Sequence, residues 1–186
     1  MKRNEAVMPG DSNQARLAEI LSQCTSELLT ELGARPERTQ GVGQPPPTGE
    51  CIAAFSGFCN NDLRGSFTLV GPSKLFARLH PLPPTVTPRD LTDWACEMVN
   101  QSVGRLRNRL LAYGVSVALS VPQSALAERL RLSSSLRPTP TPISFAIDGM
   151  VLDGWLELEI GTGFRLAESP SDEEGAALRE GSIVLF

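Results

Sequence analysis

The sequence has few of the residues on which most enzymes and metal sites depend. It contains a single histidine, His80, and its four cysteines form no C-x-x-C pair. A zinc site needs several such ligands at defined spacing, and a nucleophilic triad usually needs a histidine base, so neither is supported. His80 precedes a proline-rich stretch and is expected to lie on the surface without a catalytic role. The cysteines are expected to be small buried hydrophobic residues in a reducing compartment.

Motifs for small-molecule chemistry are also lacking. The chain has no P-loop, no G-x-G-x-x-G fingerprint and no G-x-S-x-G nucleophile turn. An enzyme that acts on small molecules therefore finds no support in the sequence. No metal or cofactor is expected to be bound by this chain itself.

Long apolar runs, aromatic residues and an excess of positive charge are lacking as well. Aromatic residues make up 5% of the sequence, so the core must consist mainly of Leu, Val, Ile and Ala. A transmembrane helix would need about 20 consecutive apolar residues, and no such run occurs; the opening also lacks the apolar segment of a secretory signal. The formal net charge of −4 argues against nucleic-acid binding. A cytoplasmic protein without a membrane or nucleic-acid partner is expected.

The 186 residues, 41% of them hydrophobic, suit one domain with tails. A flexible leader is expected over residues 1–10, the domain over 11–165, and an acidic tail over 166–186. The tail ends in the apolar "SIVLF", for which docking on the domain is favoured over a role as an interaction tag. The domain opens with a long amphipathic helix that Asp11 is expected to cap and Gly33 to end.

Further helices and strands follow a proline- and glycine-rich loop. "CIAAFSGF" and "LRGSFTLVG" predict two strands joined by the turn "CNND", and "SKLFARLH" predicts a short helix capped by Ser73. "VSVALSVP" predicts a strand, whereas "QSALAERLRLSSSLRPTPTP" is either a short helix or an irregular strand before a loop. "ISFAIDGMVLDGWLELEI" predicts a final hairpin that turns at either 148–149 or 153–154.

The second long helix contains "DWACEMVNQSVGRLRNRL" and begins with clear signals. Thr87 can cap it, Pro88 suits its first position, and Asp90 suits its third. The helix is expected to run to about Tyr113, and Gly114 should end it. Its apolar residues form one broad face that is typical of a core-facing helix.

The polar face of this helix carries an unusual set of residues. Asp93, Glu97 and Asn100 lie at i, i+4 and i+7, within roughly 60° of one another, and Gly104 falls between them in angle. We call these four residues the motif strip; Arg107 flanks the same face. A solvated surface is the ordinary explanation, but two like charges at i,i+4 are unfavourable and a mid-helix glycine costs up to about 1 kcal/mol. The strip therefore suits insertion into the site of another protein.

The spacing of these residues resembles a known signature. Asp93-x-x-x-Glu97-x-x-Asn100, with 21 residues between Asn100 and Pro122 and a strand-like segment before the proline, resembles the phosphatase signature of the CheC/CheX chemotaxis family. The last gap is one residue shorter than the family's usual gap. The first helix contains no E-x-x-N, so the chain is more similar to the single-motif CheX proteins than to the two-motif CheC proteins. Related flagellar switch folds lack the motif, which favours catalysis here.

The resemblance, which covers about residues 11–165, implies an α+β fold in which two long helices pack on one face of an antiparallel sheet. It implies a phosphatase that hydrolyses the aspartyl phosphate of a CheY-like response regulator, with Mg²⁺ supplied by that partner. Asn100 would orient the attacking water, and Glu97 would reach a basic residue of the regulator. A homodimer formed through sheet edges is also implied.

The remaining candidates are assigned to partner binding. These residues are Asp93, Gly104, Arg107 and Pro122. A basic segment, with Arg129, Arg131 and Arg137, could contact an acidic regulator, although a solvated loop is favoured. The alternative function is a non-catalytic CheX-like module that binds a receiver domain or a motility complex, for example if the segment 123–142 folded over the motif strip.

Overall fold

The computed structural model describes residues 9–39, 49–81, 86–128 and 139–171. No helix in these ranges is both long and apolar enough to cross a membrane. The elements in chain order are α1 Pro9–Glu31, β1 Glu37–Thr39, β2 Cys51–Cys59, β3 Leu63–Pro72, α2 Ser73–Leu79, α3 Pro88–Ala112, β4 Ala118–Leu119, β5 Gln123–Ala127, β6 Thr141–Pro142, β7 Ser144–Ile147 and β8 Met150–Ile160.

The strands form one antiparallel sheet in the order β1-β7-β8-β3-β2-β4, with β5 also paired to β2 and β6 paired to β8. The predicted hairpin of β2 and β3 is confirmed. The final hairpin turns at Asp148 and Gly149, whose φ angles of 50° and 76° suit a tight hairpin turn. Asp153 lies inside β8 and pairs with Val70. Of the two turn positions that the sequence allowed, the hairpin therefore uses 148–149 and not 153–154.

Both long helices pack against the same side of the sheet. α3 contacts β2, β3 and β5, α1 contacts β8, and the two helices contact each other. Alternation along the strands directs apolar side chains towards the helices, where they form one core cluster. Its fully buried members include Leu17, Leu21, Phe67, Phe76, Leu106, Phe145 and Leu156. The predicted α+β architecture, with two long helices on one face, is confirmed.

The ends of the helices agree only partly with the sequence signals. Gly33 adopts φ 78° and donates its N–H to the Thr30 carbonyl, as expected of a residue that ends α1. The cap assigned to Asp11 is wrong, because α1 already begins at Pro9. The cap assigned to Ser73 is also wrong: Pro72 precedes the first turn of α2, and the Ser73 hydroxyl is buried without a hydrogen-bond partner among the described residues.

Two strand assignments also need correction. Part of the predicted loop after α1 forms β1, which pairs with β7. "VSVALSVP" does not form one strand, because only Ala118 and Leu119 pair as β4 before the ladder with β2 is interrupted. At the interruption Ser120 Oγ accepts the Gly57 N–H at 2.7 Å. The ambiguous segment that follows then forms the strand β5.

The chain that follows β8 packs on the domain. Phe164 and Leu166 are buried, the Arg16 guanidinium donates to the Ala167 carbonyl, and the Ser171 N–H donates to the Ala112 carbonyl. Residues after the predicted domain limit at 165 therefore still pack on the domain. The division into leader, domain and tail stays a prediction. "SIVLF" and the basic arginines Arg129, Arg131 and Arg137 lie outside the described residues.

The cysteines differ in burial, so the expectation that all are buried is wrong. Cys24 and Cys51 are buried, Cys96 is half-buried and Cys59 is exposed. Burial raises the pKa of the Cys24 thiol to about 11. Cys59 is exposed because it lies at the end of β2 and faces away from the helices. His80 is partly exposed and meets Trp94 edge-on, with ring centroids 5.5 Å apart.

Candidate functional site

The start of α3 is fixed by a reciprocal cap. Thr87 Oγ1 accepts the Asp90 N–H at 3.2 Å, and Asp90 Oδ2 accepts the Thr87 N–H at 2.8 Å. Pro88 occupies the first helical position. The hydrogen bonds from the Thr87 backbone and hydroxyl hold the pKa of the Asp90 carboxyl below its usual value. The predicted cap is confirmed, and it sets the helix in place one turn before the motif strip.

The motif strip faces away from the core. Asp93 and Glu97 are exposed, whereas Asn100 and Gly104 are half-exposed. The opposite side of α3 packs on the sheet and on α1 through residues that include Met98, Val99, Ser102, Val103 and Leu106. The structure therefore brings the carboxylate, the carboxamide and the glycine together on one outward surface of a single helix.

Glu97 and Asn100 differ in how their side chains are held. Glu97 Oε1 accepts a hydrogen bond from Gln101 Nε2 at 2.7 Å, which leaves Oε2 available. The Asn100 carboxamide makes no hydrogen bond with any of the described residues. Its oxygen and its N–H groups can therefore bind another molecule without breaking an existing contact.

Asp93 is held only loosely. Arg89 Nε lies 3.8 Å from Asp93 Oδ2, and the two side chains are 89% and 71% exposed. A pair this long and this exposed contributes little stability, so it would not oppose a new contact. Asp93 also lies beyond the first turn of α3, where Asp90 already provides the acidic group.

Gly104 has no role in internal packing. A Cβ built at this position meets no atom within 4 Å among the described residues. The cost of a mid-helix glycine is therefore not offset by a close approach of any described residue. Its effect is to leave a flat stretch of helix backbone one turn after Asn100.

Arg107 continues the same side of α3. It is half-buried, its Nε is buried without a hydrogen-bond partner, and it forms no salt bridge with any other described residue. Pro122 does not lie on the helix. It belongs to the link between β4 and β5, two strands that both contact α3, and follows Val121, which is 82% exposed. The placement of Pro122 at the end of a long strand is thus wrong.

Two residues that contact the motif strip were not among the candidates predicted from the sequence. Gln101 orients Glu97, and Arg89 approaches Asp93. Both pairs are spaced i,i+4, the separation at which helical side chains meet. That spacing could have identified them.

The motif strip lies along the outward side of one helix, with Asp93 and Glu97 exposed and Asn100 half-exposed. A concavity of about 370 Å³ lies on the sheet face that points away from the helices, and it includes none of the predicted site residues. Its lining includes Gly57, Cys59, Arg64, Ser66, Glu157 and Glu159. Within the described ranges, no three His, Cys, Asp or Glu residues lie close enough together to hold a metal ion. An exposed row of side chains along one helix suits contact with a macromolecule better than capture of a small ligand.

Comparison with known proteins gives structural matches only. No protein-family profile matches the chain. No curated protein sequence matches it significantly either.

The structural matches are consistent with one another. A CheX chemotaxis protein from Vibrio vulnificus has a TM-score of 0.64 at 14% identity, covering 77% of this chain and 96% of that chain. A CheC-like superfamily protein from Shewanella sp. PV-4 has a TM-score of 0.67 at 11% identity, covering 77% and 97%. CheX in a CheX–CheY–BeF₃–Mg²⁺ complex from Borrelia burgdorferi has a TM-score of 0.56 at 14% identity, covering 76% and 96%. The chain has the CheC/CheX fold.

Proposed function

We propose that this chain is a CheX-like phosphatase that hydrolyses the aspartyl phosphate of a CheY-like response regulator in the cytoplasm. The observation that carries the proposal is the outward-facing pair of exposed Glu97 and half-exposed Asn100, held on a capped helix of a CheX-like fold. One structural neighbour is itself a CheX bound to CheY with BeF₃ and Mg²⁺. The proposal assigns half of the active site to this chain and half to the regulator.

In this mechanism Asn100 orients the attacking water. A carboxamide can accept a hydrogen bond from the water while it donates to a phosphoryl oxygen, and it carries no charge that would repel the phosphate. Because Asn100 has no hydrogen bond to another described residue, it loses no existing contact on entering the regulator. The Mg²⁺ of the regulator, when bound there, neutralises charge on the phosphoryl group.

Glu97 anchors the helix to the partner. Its Oε2 is available to a basic side chain of the regulator, while the hydrogen bond from Gln101 to Oε1 limits the rotation of the carboxylate. An anchor that is already oriented loses less conformational entropy on binding. Glu97 therefore fixes the register that places Asn100 beside the phosphoryl group, and it need not act as a general base.

The other candidates support docking. Gly104 allows the regulator to approach the α3 backbone closely, because no side chain projects there. Asp93 adds negative charge beside Glu97, and Pro122 shapes the link between β4 and β5 next to α3. The homodimer implied by the resemblance stays a prediction, and light scattering coupled to size exclusion would test it.

The test is a phosphatase assay with matched asparagine variants. CheY-like receivers are phosphorylated with labelled acetyl phosphate in excess Mg²⁺, and the loss of label is followed with the wild type, Asn100→Ala and Asn108→Ala. Asn108 is exposed on the same helix two turns later, so it controls for the loss of a carboxamide from α3. We expect Asn100→Ala to abolish most of the acceleration and Asn108→Ala to retain it.

Two outcomes would count against the proposal. Full activity of Asn100→Ala would remove the assigned role of that residue. Binding of a receiver without any change in phosphate lifetime would support the non-catalytic module instead. Residues 123–127 of the segment that could cover the motif strip pair as β5 with β2, and residues 129–138 of it lie outside the described residues.

A further inference from the structure

Arg107 differs from the other arginines of α3. Arg89 lies near Asp93, Arg105 Nη1 donates to Glu31 Oε1 at 2.9 Å, and Arg109 donates to Glu27. Each of these three has a carboxylate partner inside the chain. Arg107 has none in the parts of the chain that the structure describes.

The surroundings of Arg107 show that it is not simply a solvated charge. The residue is half-buried, and its Nε is removed from solvent without a hydrogen-bond partner among the described residues. A polar group buried without a partner costs free energy, and the cost is larger when the group is charged. Partial burial also restricts the side chain, and no carboxylate among the described residues neutralises it.

Arg107 lies in line with the proposed reaction centre. It follows Gly104 by three residues and Asn100 by seven, which places it within about 20° of Asn100 around the helix and about 10 Å further along the axis. Between the two is the open surface of Gly104. A surface that covers Asn100 and Gly104 would therefore reach Arg107 as well.

The inference rests on the proposed function: we propose that Arg107 binds a carboxylate of the response regulator and thereby selects its partner. The planar guanidinium offers paired N–H donors that match a carboxylate. The phosphoryl group is assigned to Asn100 about 10 Å away, so Arg107 requires a second anion. The regulator that fits presents a basic group to Glu97 at one end of α3 and an Asp or Glu side chain to Arg107 at the other.

This arrangement gives the interface a direction. Glu97 and Arg107 are separated by ten residues, about 15 Å along the helix. A regulator docked in reverse would bring its acidic group to Glu97 and its basic group to Arg107, and both contacts would be repulsive. Arg107 is therefore a positioning residue that contributes to binding and orientation but not to the bond-breaking step.

The experiment measures kcat and KM for the phosphorylated receiver with Arg107→Glu, Arg107→Gln and the control Arg35→Glu. Arg35 is exposed outside α3, and its reversal changes the net charge by the same amount. We expect Arg107→Glu to raise KM by about tenfold or more while kcat changes little. Arg107→Gln should have a smaller effect and should reduce the salt dependence of KM. Arg35→Glu should leave KM near that of the wild type, and melting curves check that all variants are folded.

A charge reversal in the receiver completes the test. An Asp or Glu of the receiver that is changed to Arg should restore low KM with Arg107→Glu and impair the wild type. Wild-type KM in Arg107→Glu, or a fall in kcat at constant KM, would overturn the role of Arg107 and leave the proposed function standing. If the wild type binds a receiver without hydrolysis, the proposed function fails, and the dissociation constants of the same variants decide the role of Arg107. If the wild type binds no receiver, both fail.

Discussion

The two exposed sides of α3 are organised in opposite ways. On the flank that faces α1, Arg105 pairs with Glu31 and Arg109 pairs with Glu27, so each charge is balanced within the chain. On the motif strip, two like charges stand one turn apart, Asn100 has no hydrogen bond to the described residues, and Gly104 lacks a packing role. The flank contributes to the stability of the fold. The strip contributes little to it, as expected of a surface whose contacts belong to a partner.

The largest effect is expected for Asn100→Asp on the motif strip, which should slow dephosphorylation without destabilising the fold. This substitution keeps the shape of the side chain but adds a negative charge and removes the N–H donors, so it should repel the phosphoryl group. We expect a loss of about 100-fold or more in dephosphorylation rate, in the range seen when a preorganised donor is removed. The melting temperature should hardly change. A large loss of stability would show that Asn100 supports the fold, and the contrast with the flank would be lost.

A change at the start of α3 should affect both sides equally. Thr87→Ala removes one half of the reciprocal cap and should lower the free energy of unfolding by about 1 kcal/mol. The kcat per folded molecule should stay the same, because the cap does not contact the strip. Thr92→Ala, a change of the same chemistry inside α3, is the control and should have a smaller effect on denaturant unfolding. If Thr87→Ala and Thr92→Ala lowered the free energy of unfolding equally, the cap would stabilise α3 no more than an ordinary threonine inside the helix.

Replacing Gly104 should change the stability of the fold and the binding of the receiver in opposite directions. Gly104→Ala should raise the free energy of unfolding by up to about 1 kcal/mol, because the added methyl group meets no other described atom and alanine favours the helix. The same methyl group should weaken receiver binding. Gly154→Ala is the control with the reverse effect on stability, since its Cβ would lie 2.5 Å from the Ile143 carbonyl oxygen. Improved stability with unchanged binding would exclude Gly104 from the interface.

A small effect on stability is expected on the flank. The Arg105 guanidinium beside Glu31 holds the pKa of that carboxyl below its usual 4.5. A depressed folded-state pKa stabilises the fold above the unfolded-state pKa, and this contribution is lost as the pH falls through the folded value. Glu31→Gln should therefore cost less than about 1 kcal/mol at neutral pH, and the difference from the wild type should vanish once the pH falls below the lowered folded-state pKa of Glu31.

The matched change on the strip is Glu97→Gln. It should leave the unfolding free energy within about 0.5 kcal/mol of the wild type at neutral pH while raising KM for the receiver. Denaturant titrations of both variants at neutral and acidic pH make the comparison. A stability loss at Glu97 as large as that at Glu31 would contradict the separation of the two sides.

Local signals in the sequence were enough to predict the elements that carry the site. The reciprocal cap at Thr87 and Asp90 and the spacing of Asp93, Glu97 and Asn100 depend only on neighbouring residues. The helix around them could therefore be predicted, as could the turn between β2 and β3. The sequence alone established where the strip residues lie on the helix but not what surrounds them.

The features that could not be predicted depend on distant contacts. The break between β4 and β5 arises where Ser120 Oγ, and not a backbone carbonyl, accepts the Gly57 N–H, and these residues lie far apart in the chain. Helical spacing placed Arg107 beside the motif strip, but it could not show that Arg105 and Arg109 pair with Glu31 and Glu27. Those two pairs depend on where α1 packs against α3.

The most direct test of the account is the lifetime of a phosphorylated CheY-like receiver mixed with a substoichiometric amount of the wild-type chain in excess Mg²⁺. If the chain is a phosphatase, the lifetime shortens and each molecule of the chain turns over many molecules of receiver. Receiver that binds the chain and yet keeps its full phosphate lifetime would contradict it.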